Sequence, residues 1–257
     1  MYKITNVNEI QSLEDNRILI NKDKIVMNNS KIIISGKDNI VFIEDGCSLL
    51  NTTININGNG NLVYLSKSRH NIILSLNMYN NSTCYIGKEV YFNGTLNVIL
   101  SEEKNFFVGS DCLFSFGIWV RTADPHLIYD ADSKVRINPS KSILVGEHCW
   151  IGQGAMLLKG SVVGSGSIVG GGTVLAKTVG NNEVYAGNPA KKIKENVFWS
   201  GECVHTFTDE KTRKYNVMDK EEYIYKKDIT LSHFLHLDAI KTSSTDKLDF
   251  IQKMLSL

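Results

Sequence analysis

The sequence predicts an all-β solenoid, and three observations carry that expectation. Between Val145 and Lys177 a branched aliphatic residue returns at every sixth position: Val145, Ile151, Leu157, Val163, Val169 and Leu175. The residue after it is glycine in four of the six units, Gly146, Gly152, Gly164 and Gly170. The fifth position is small throughout, as Cys149, Ala155, Ser161, Ser167 and Thr173. A period of six matches neither an α-helix nor a simple alternating hairpin. It suits coils of short strands whose aliphatic residue points inward and whose corners take small residues or glycine. Stacked coils of this kind bury one continuous aliphatic column.

Upstream the register is fainter, as Val108-Gly-Ser-Asp-Cys112 followed by Phe114 and Val120, and before that as Ile86, Phe92 and Val98. Nearer the N-terminus an Asn- and Gly-rich stretch carries Ile54, Ile56, Leu62, Tyr64, Ile72 and Leu74. It reads as degenerate turns of the same solenoid, although ordinary β-hairpins have the same composition. Cys47, Cys112 and Cys149 all fall at the small fifth position, where a thiol behaves as a small buried hydrophobe. Nothing in the neighbouring sequence supplies the base and cation that a nucleophilic thiol needs. The five cysteines form no CxxC pair and no zinc-spaced cluster, which argues against a disulfide framework or a metal.

Two interruptions of the phase mark where the chain leaves the coil. Val98 to Val108 spans ten residues, and Val120 to Val145 spans twenty-five. The second contains Arg121-Thr-Ala-Asp-Pro-His126-Leu-Ile-Tyr-Asp130 and Ile137-Asn-Pro-Ser140, which is turn-rich and polar. A loop leaving a rigid scaffold is a common seat of chemistry. After Trp199 the hexads stop; Leu231 to Leu237 is rich in apolar residues, and positions 248, 251 and 255 form a helical face. The expected division is residues 1–199 as a coiled domain, with degenerate coils over 1–84, clear ones over 85–199 and a loop at 121–140. Residues 200–257 are expected to form an appendage of short helices that packs on the solenoid, reaches a neighbouring copy or holds an acceptor.

A chain of 257 residues accommodates one large domain plus an appendage. With 28 Lys+Arg against 27 Asp+Glu, the formal charge of +1 offers no overall field for nucleic acid or an anionic membrane. No apolar run approaches the ~18 residues of a membrane span, and residues 1–23 lack a signal-peptide core, so the cytoplasm is the expected compartment.

Arg121 to Asp130, His148-Cys-Trp150-Ile-Gly152, and Ala186-Gly-Asn-Pro-Ala-Lys191 with Lys194-Glu-Asn-Val-Phe-Trp199 together resemble the hexapeptide-repeat acyltransferases. Over residues 85–200 the chain looks most like the capsular and polysialic acid O-acetyltransferases. The resemblance implies a left-handed parallel β-helix; sequence physics alone does not give that hand, because parallel crossovers are right-handed by default. It also implies a homotrimer with active sites between subunits, acetyl-CoA as co-substrate without a metal, and a glycan hydroxyl, in sialic acid or a capsular polysaccharide, as acceptor. One departure is that the family often reads Asp-x-His-Pro, whereas here Pro125 precedes the histidine and Leu127 follows it.

Acetyl transfer from a thioester to a hydroxyl needs a base, a donor to the developing oxyanion and a groove for the pantetheine arm. His126 is the best base in the chain, since its imidazole titrates near neutrality and it sits in the phase-breaking loop; the plain alternative is a loop cap. Asp124 and Asp130 are placed to orient its ring or simply to make turns. Trp150, at the sixth position of its hexad beside a corner, is larger than the fold needs there. By resemblance it lies against the thioester end of coenzyme A. His148 reads as structural. Gln153, Gly154, Gly171 and Gly172 lie on the expected pantetheine track, and by resemblance Lys177 and Lys191 match positions that touch the nucleotide end. Arg121, Asp124 and Tyr129 flank the histidine and are candidates for contact with the sugar. Rival readings are transfer to a nucleotide-linked amino sugar or other small acceptor, a zinc carbonic anhydrase on the same helix, for which too few histidines are present, and a non-catalytic scaffold.

Overall fold

The structure, a computed structural model, describes residues 1–11, 13–218 and 222–256; Ser12, residues 219–221 of the expected appendage and Leu257 lie outside the described residues. Short strands stack into the three faces of a left-handed parallel β-helix. Eight strands from Tyr2–Ile4 to Val174–Leu175 form the first face, and eight from Asn16–Ile20 to Thr178–Val179 form the second. The third consists of a three-stranded sheet over Val26–Asn28, Ser48–Leu50 and Asn71–Ile72, then a six-stranded one running from Tyr91–Phe92 to Lys191–Lys194. We call the turns from first to second, second to third and third to first faces the first, second and third corners. Pairing is parallel except at the two ends, where Tyr2–Ile4 joins Lys31–Ser35 and Lys191–Lys194 joins Val184–Ala186 in antiparallel fashion.

The hexad ladder forms the core. Val145, Ile151, Leu157, Val163, Val169 and Leu175 are all fully buried, and so are the small residues at the fifth positions. Those of Ser161, Ser167 and Cys149 are satisfied by carbonyls of the following coil, whereas Thr173 Oγ1 is buried without a partner. Ser161 Oγ donates to Leu175 O at 2.8 Å, Ser167 Oγ to Gly180 O at 2.6 Å, and Cys149 Sγ to Gly164 O at 3.2 Å. Burial pushes the thiols of Cys47 and Cys84 up to about 12 and raises that of Cys112, so these sulfurs are packing atoms.

Toward the N-terminus the chain coils and does not form hairpins. Ile32, Ile54, Leu76, Val98 and Val120 are successive parallel partners, each twenty-two residues after the last, whereas Leu157 and Leu175 are eighteen apart. The surplus of four seen between Val98 and Val108 is therefore no isolated loop. It returns between Leu76 and Ile86, always at the first corner, so every ladder position stays in register.

A buried asparagine stack holds these wider corners together. Asn39 donates from Nδ2 to Asn16 Oδ1 at 2.9 Å, Asn61 donates likewise to Asn39 Oδ1 at 2.9 Å, and Asn61 Oδ1 accepts from the Ser82 amide at 3.0 Å. Each side chain acts as donor toward one coil and acceptor toward the next, so the amides link the coils as a continuous chain.

Beyond the coils the described residues form the α-helices α1 (Asp209–Lys214), α2 (Ile229–Ala239) and α3 (Ser244–Leu255). The last two helices of the tail pack on the solenoid, one of the three placements expected for it. Leu231, Phe234 and Leu237 of α2, with Leu248 and Ile251 of α3, cover Ile40, Leu62, Tyr64, Tyr85, Phe107 and Leu144 on the second face. Phe234 stacks on Phe107 at 5.3 Å and meets Tyr85 edge-on at 5.6 Å. Full burial of such side chains is worth ~1.5–3 kcal/mol each. Polar ties fix the register: Asp228 accepts from the amides of Ser165 (2.8 Å) and Leu231 (2.9 Å), and Asp238 accepts from Asn105 Nδ2 (2.7 Å) and the Ser142 hydroxyl. Among the described residues no helix is long and apolar enough to cross a membrane.

Replacing Asn39 by alanine removes a link of the buried stack and strands the partners above and below it. We expect a loss of about 1–3 kcal/mol in urea unfolding, against little change for Lys37→Ala, whose side chain is exposed on the same corner.

Candidate active site

The segment from Thr122 to Ser142 leaves the coil at the first corner, the one already widened in the coils before it. It folds into a small antiparallel hairpin, with Ile137 N donating to Ile128 O and Asp130 N to Val135 O, both at 2.9 Å. Asp130 closes the turn. Its carboxylate accepts from the amides of Ser133 (2.8 Å) and Asp132 (3.2 Å) and from the Ser133 hydroxyl, bonds that hold its carboxyl below the usual range.

Two ion pairs brace the loop. From the coil before it, Glu102 receives both outer nitrogens of Arg136, at 2.6 and 2.9 Å, together with the Ser140 hydroxyl. Arg136 foremost, then Ser140, holds the Glu102 carboxyl down at about 2. From the coil after it, Lys159 Nζ reaches Asp124 Oδ2 at 2.5 Å, and Lys159 ahead of Asn138 lowers the Asp124 carboxyl.

Asn138, almost fully buried, organises the interior of the loop. Its Nδ2 donates to His126 O at 2.7 Å and its Oδ1 accepts from Ile128 N at 2.9 Å, so one amide pins the backbone on both sides of Leu127. The His126 ring itself is exposed and makes no hydrogen bond or ion pair to any described residue. Neither aspartate orients it: Asp124 is committed to Lys159 and Asn138, and Asp130 to its turn. Tyr129 is exposed opposite Arg136. Arg121 stands between Ile99 and Leu158 on the first face, with its Nε buried and unpartnered. Leu127, Ile128, Val135 and Ile137 are exposed around the histidine, so the loop is less polar outside than its sequence suggests.

Trp150 faces outward on the third face, in a column with Leu113 before it and Ile168 after it, and it is 40% exposed. Trp199 lies against it, ring centroids 5.9 Å apart. Trp199 is in turn clamped by His148: the rings stack at 4.1 Å, the indole N–H donates to His148 O at 2.8 Å, and His148 Nε2 lies 3.0 Å from Trp199 O. Tyr223 covers the other face of His148 at 3.6 Å, and Asp111 Oδ2 lies 2.7 Å from its Nδ1. A ring so enclosed is structural, as its corner position suggests.

Gln153, Gly154, Gly171 and Gly172 line the third corner beside Trp150. Gly154 N donates to Phe116 O at 2.8 Å and Gly172 N to Gln153 O at 2.7 Å. Gly154 and Gly172 hold φ of +69° and +66° with open space where a Cβ would stand, so the left-handed corner itself demands glycine there. Lys177 is exposed on the first corner, and Lys191 lies on the terminal antiparallel strand of the third face.

The singled-out residues therefore form two groups on opposite edges of the first face. Arg121, Asp124, His126, Tyr129 and Lys177 gather at the first corner; Trp150, Gln153, Gly154, Gly171 and Gly172 gather at the third. Within one chain no hydrogen bond, ion pair or ring contact joins the two groups among the described residues. Sequence reasoning missed Glu102, Arg136, Asn138 and Lys159. Their only signal was membership of the phase-breaking segment or its flanking corners. No group of three His, Cys, Asp or Glu side chains able to hold a metal occurs among the described residues.

The stacked coils and the hexad ladder define a hexapeptide-repeat transferase, and the family model "Bacterial transferase hexapeptide (six repeats)" matches residues 142–177. A polysialic acid O-acetyltransferase of Neisseria meningitidis is 30% identical over 181 residues, covering 70% of this chain and 83% of that protein. One from Escherichia coli O1:K1 / APEC is 40% identical over 119 residues, 46% of this chain but only 38% of the relative's length. The crystal structure of the polysialic acid O-acetyltransferase OatWY superposes with a TM-score of 0.67 at 27% identity, over 76% of this chain and 92% of that one. That of the polySia-specific acetyltransferase NeuO gives 0.66 at 28%, over 78% and 93%. The chain belongs to the hexapeptide-repeat acetyltransferases, and within them it is similar to the polysialic acid O-acetyltransferases.

Asn138→Ala releases the backbone around His126 without touching the ladder. We expect transfer to fall by on the order of 10- to 100-fold through misplacement alone, with the thermal midpoint nearly unchanged, as acetyl-transfer assays and calorimetry on the same preparation will report.

Proposed function

We propose that the protein transfers an acetyl group from acetyl-CoA to a hydroxyl of a bacterial surface glycan, sialic acid or a capsular polysaccharide being the acceptor class the relatives favour. The observation that carries this reading is the similarity to the Neisseria meningitidis polysialic acid O-acetyltransferase across 83% of its length. His126 is the general base. The sugar O–H gives its proton to the imidazole as its oxygen attacks the thioester carbonyl; the carbon–sulfur bond breaks, and the imidazolium returns the proton to the departing thiolate. The exposed, unbonded ring on a pinned backbone supports the assignment.

Coenzyme A, in this reading, lies with its thioester against Trp150. Backbone groups of Gln153, Gly154, Gly171 and Gly172 flank the pantetheine arm, and Lys177 and Lys191 meet the phosphates of the nucleotide end. Arg121, with Asp124 and Tyr129 beside it, faces the sugar, a guanidinium suiting a carboxylate. The oxyanion falls to a backbone amide.

The working form is a homotrimer with each site between two copies. Three features support this: the division of the site residues between two corners, the exposed hydrophobes of the loop, and a second face already occupied by α2 and α3. A closed ring of identical contacts brings the first corner of one copy to the third corner of the next.

Thiol release from acetyl-CoA in the presence of a panel of glycans tests the reaction. His126→Ala is expected to lose at least about a hundredfold in kcat, the lower end of general-base contributions; equal rates in the variant and the wild type rule the base out. Mixed oligomers test the assembly. Co-refolding His126→Ala with Trp150→Ala in equal amounts regenerates intact sites only when the two residues come from different copies, and random mixing then restores about one quarter of wild-type activity. A mixture as inactive as its parents places both residues in one chain.

A further inference from the structure

A cleft of about 740 Å³ opens on the third face, on the side of Trp150 toward the N-terminal coils. Its floor is the outward column that continues from Trp150 through Leu113 to Tyr91. Trp199 and the segment up to His205 form one wall, and the second corner, with Arg69 and His70, forms the other. Tyr91 and Trp150 are two coils apart in the column, or ~10 Å at the usual strand spacing. Trp199, tilted against Trp150, borders both the cleft and the expected acetyl-donor end.

We propose that this cleft binds the acceptor saccharide chain beyond the sugar that receives the acetyl group. The inference rests on the transfer reaction proposed above and adds to it a distal subsite. A sugar ring presents an apolar C–H face and a rim of hydroxyls, and needs an aromatic surface bordered by donors and acceptors. Tyr91, 40% exposed and held edge-on by His70 at 4.6 Å, supplies the surface; Asn93, Arg69 and His205 supply the rim. Both carboxylates of the cleft have partners: Glu89 is engaged by Arg69 Nε at 3.0 Å, and Asp111 Oδ2 lies 2.7 Å from His148 Nδ1. The Arg69 side chain is 78% exposed, so its outer nitrogens face solvent and accommodate a neutral or a carboxylate-bearing chain. The volume falls in the range of small-molecule sites and exceeds what a single ring fills. A copy packed on the first face and third corner leaves this side of the prism open.

Steady-state transfer to acceptors of increasing length, from monosaccharide to polymer, tests the subsite in the full-length protein. KM for the wild type is expected to fall with length. Tyr91→Ala, a surface change whose folding is checked by circular dichroism, is expected to raise KM for long acceptors about tenfold, with KM for the monosaccharide and for acetyl-CoA unchanged; Arg69→Ala shows the same pattern for carboxylate-bearing chains. The same ratio of variant to wild-type KM at every length overturns the proposal, as does a smaller assembly for Tyr91→Ala in light scattering, which makes the cleft a contact between copies. Calorimetric titration with the longest acceptor separates the two ideas. Binding that Tyr91→Ala weakens, without acetyl transfer by the wild type, sustains the cleft and defeats the reaction; transfer and binding indifferent to Tyr91 sustain the reaction and defeat the cleft.

Discussion

Every coil must return an aliphatic side chain to the same inward column, and that requirement governs where the rest of the chain is free to vary. Interior positions are fixed by close packing, since a void or an excess methylene in a dry column costs stability directly. Corners are not so bound. They absorb length as long as the chain re-enters in phase, which is why four extra residues per turn are accommodated from Ile32 to Val120 without disturbing the ladder. The polar cost of those wider turns is met by the asparagine stack, where each amide closes the bonding of its neighbours.

The same freedom explains how a mobile-looking insertion holds a fixed histidine. The hairpin has almost no apolar core of its own, yet Glu102 reaches it from one coil and Lys159 from the next. Both anchors stand on rigid corners, so the loop inherits their precision, and Asn138 passes it on to the backbone at His126. On the third face an analogous relay runs from Asp111 through His148 and Trp199 to Trp150. The result is two braced clusters of side chains on opposite edges of one face.

The ladder was legible because it depends only on side-chain type at fixed spacing: from Val145 to Leu175 each inward residue is named by its phase. Hand and family came from resemblance, because spacing carries no chirality. Upstream, the twenty-two-residue coil was hidden because a surplus counted once at Val98 to Val108 looks like an isolated loop until its partner at Leu76 to Ile86 is paired with it. His126 and Trp150 were visible as residues the fold did not require. Asn138 and Lys159 were not, since their importance lies in partners far apart in sequence. The resting place of α2 and α3 was equally closed, because the outward side of Tyr64, Tyr85 and Phe107 is specified by pairing, and no periodic signal of the helices says which surface they cover.

The widened first corner has one more implication. Because the turn there differs in length between coils without altering the column behind it, the hairpin bearing His126 is the same architectural allowance used on a larger scale. Relatives are then able to diverge in the shape of what they recognise by insertion or deletion at a single vertical seam of the molecule. Such changes carry little penalty in folding, so recognition and robustness evolve on separate parts of the chain.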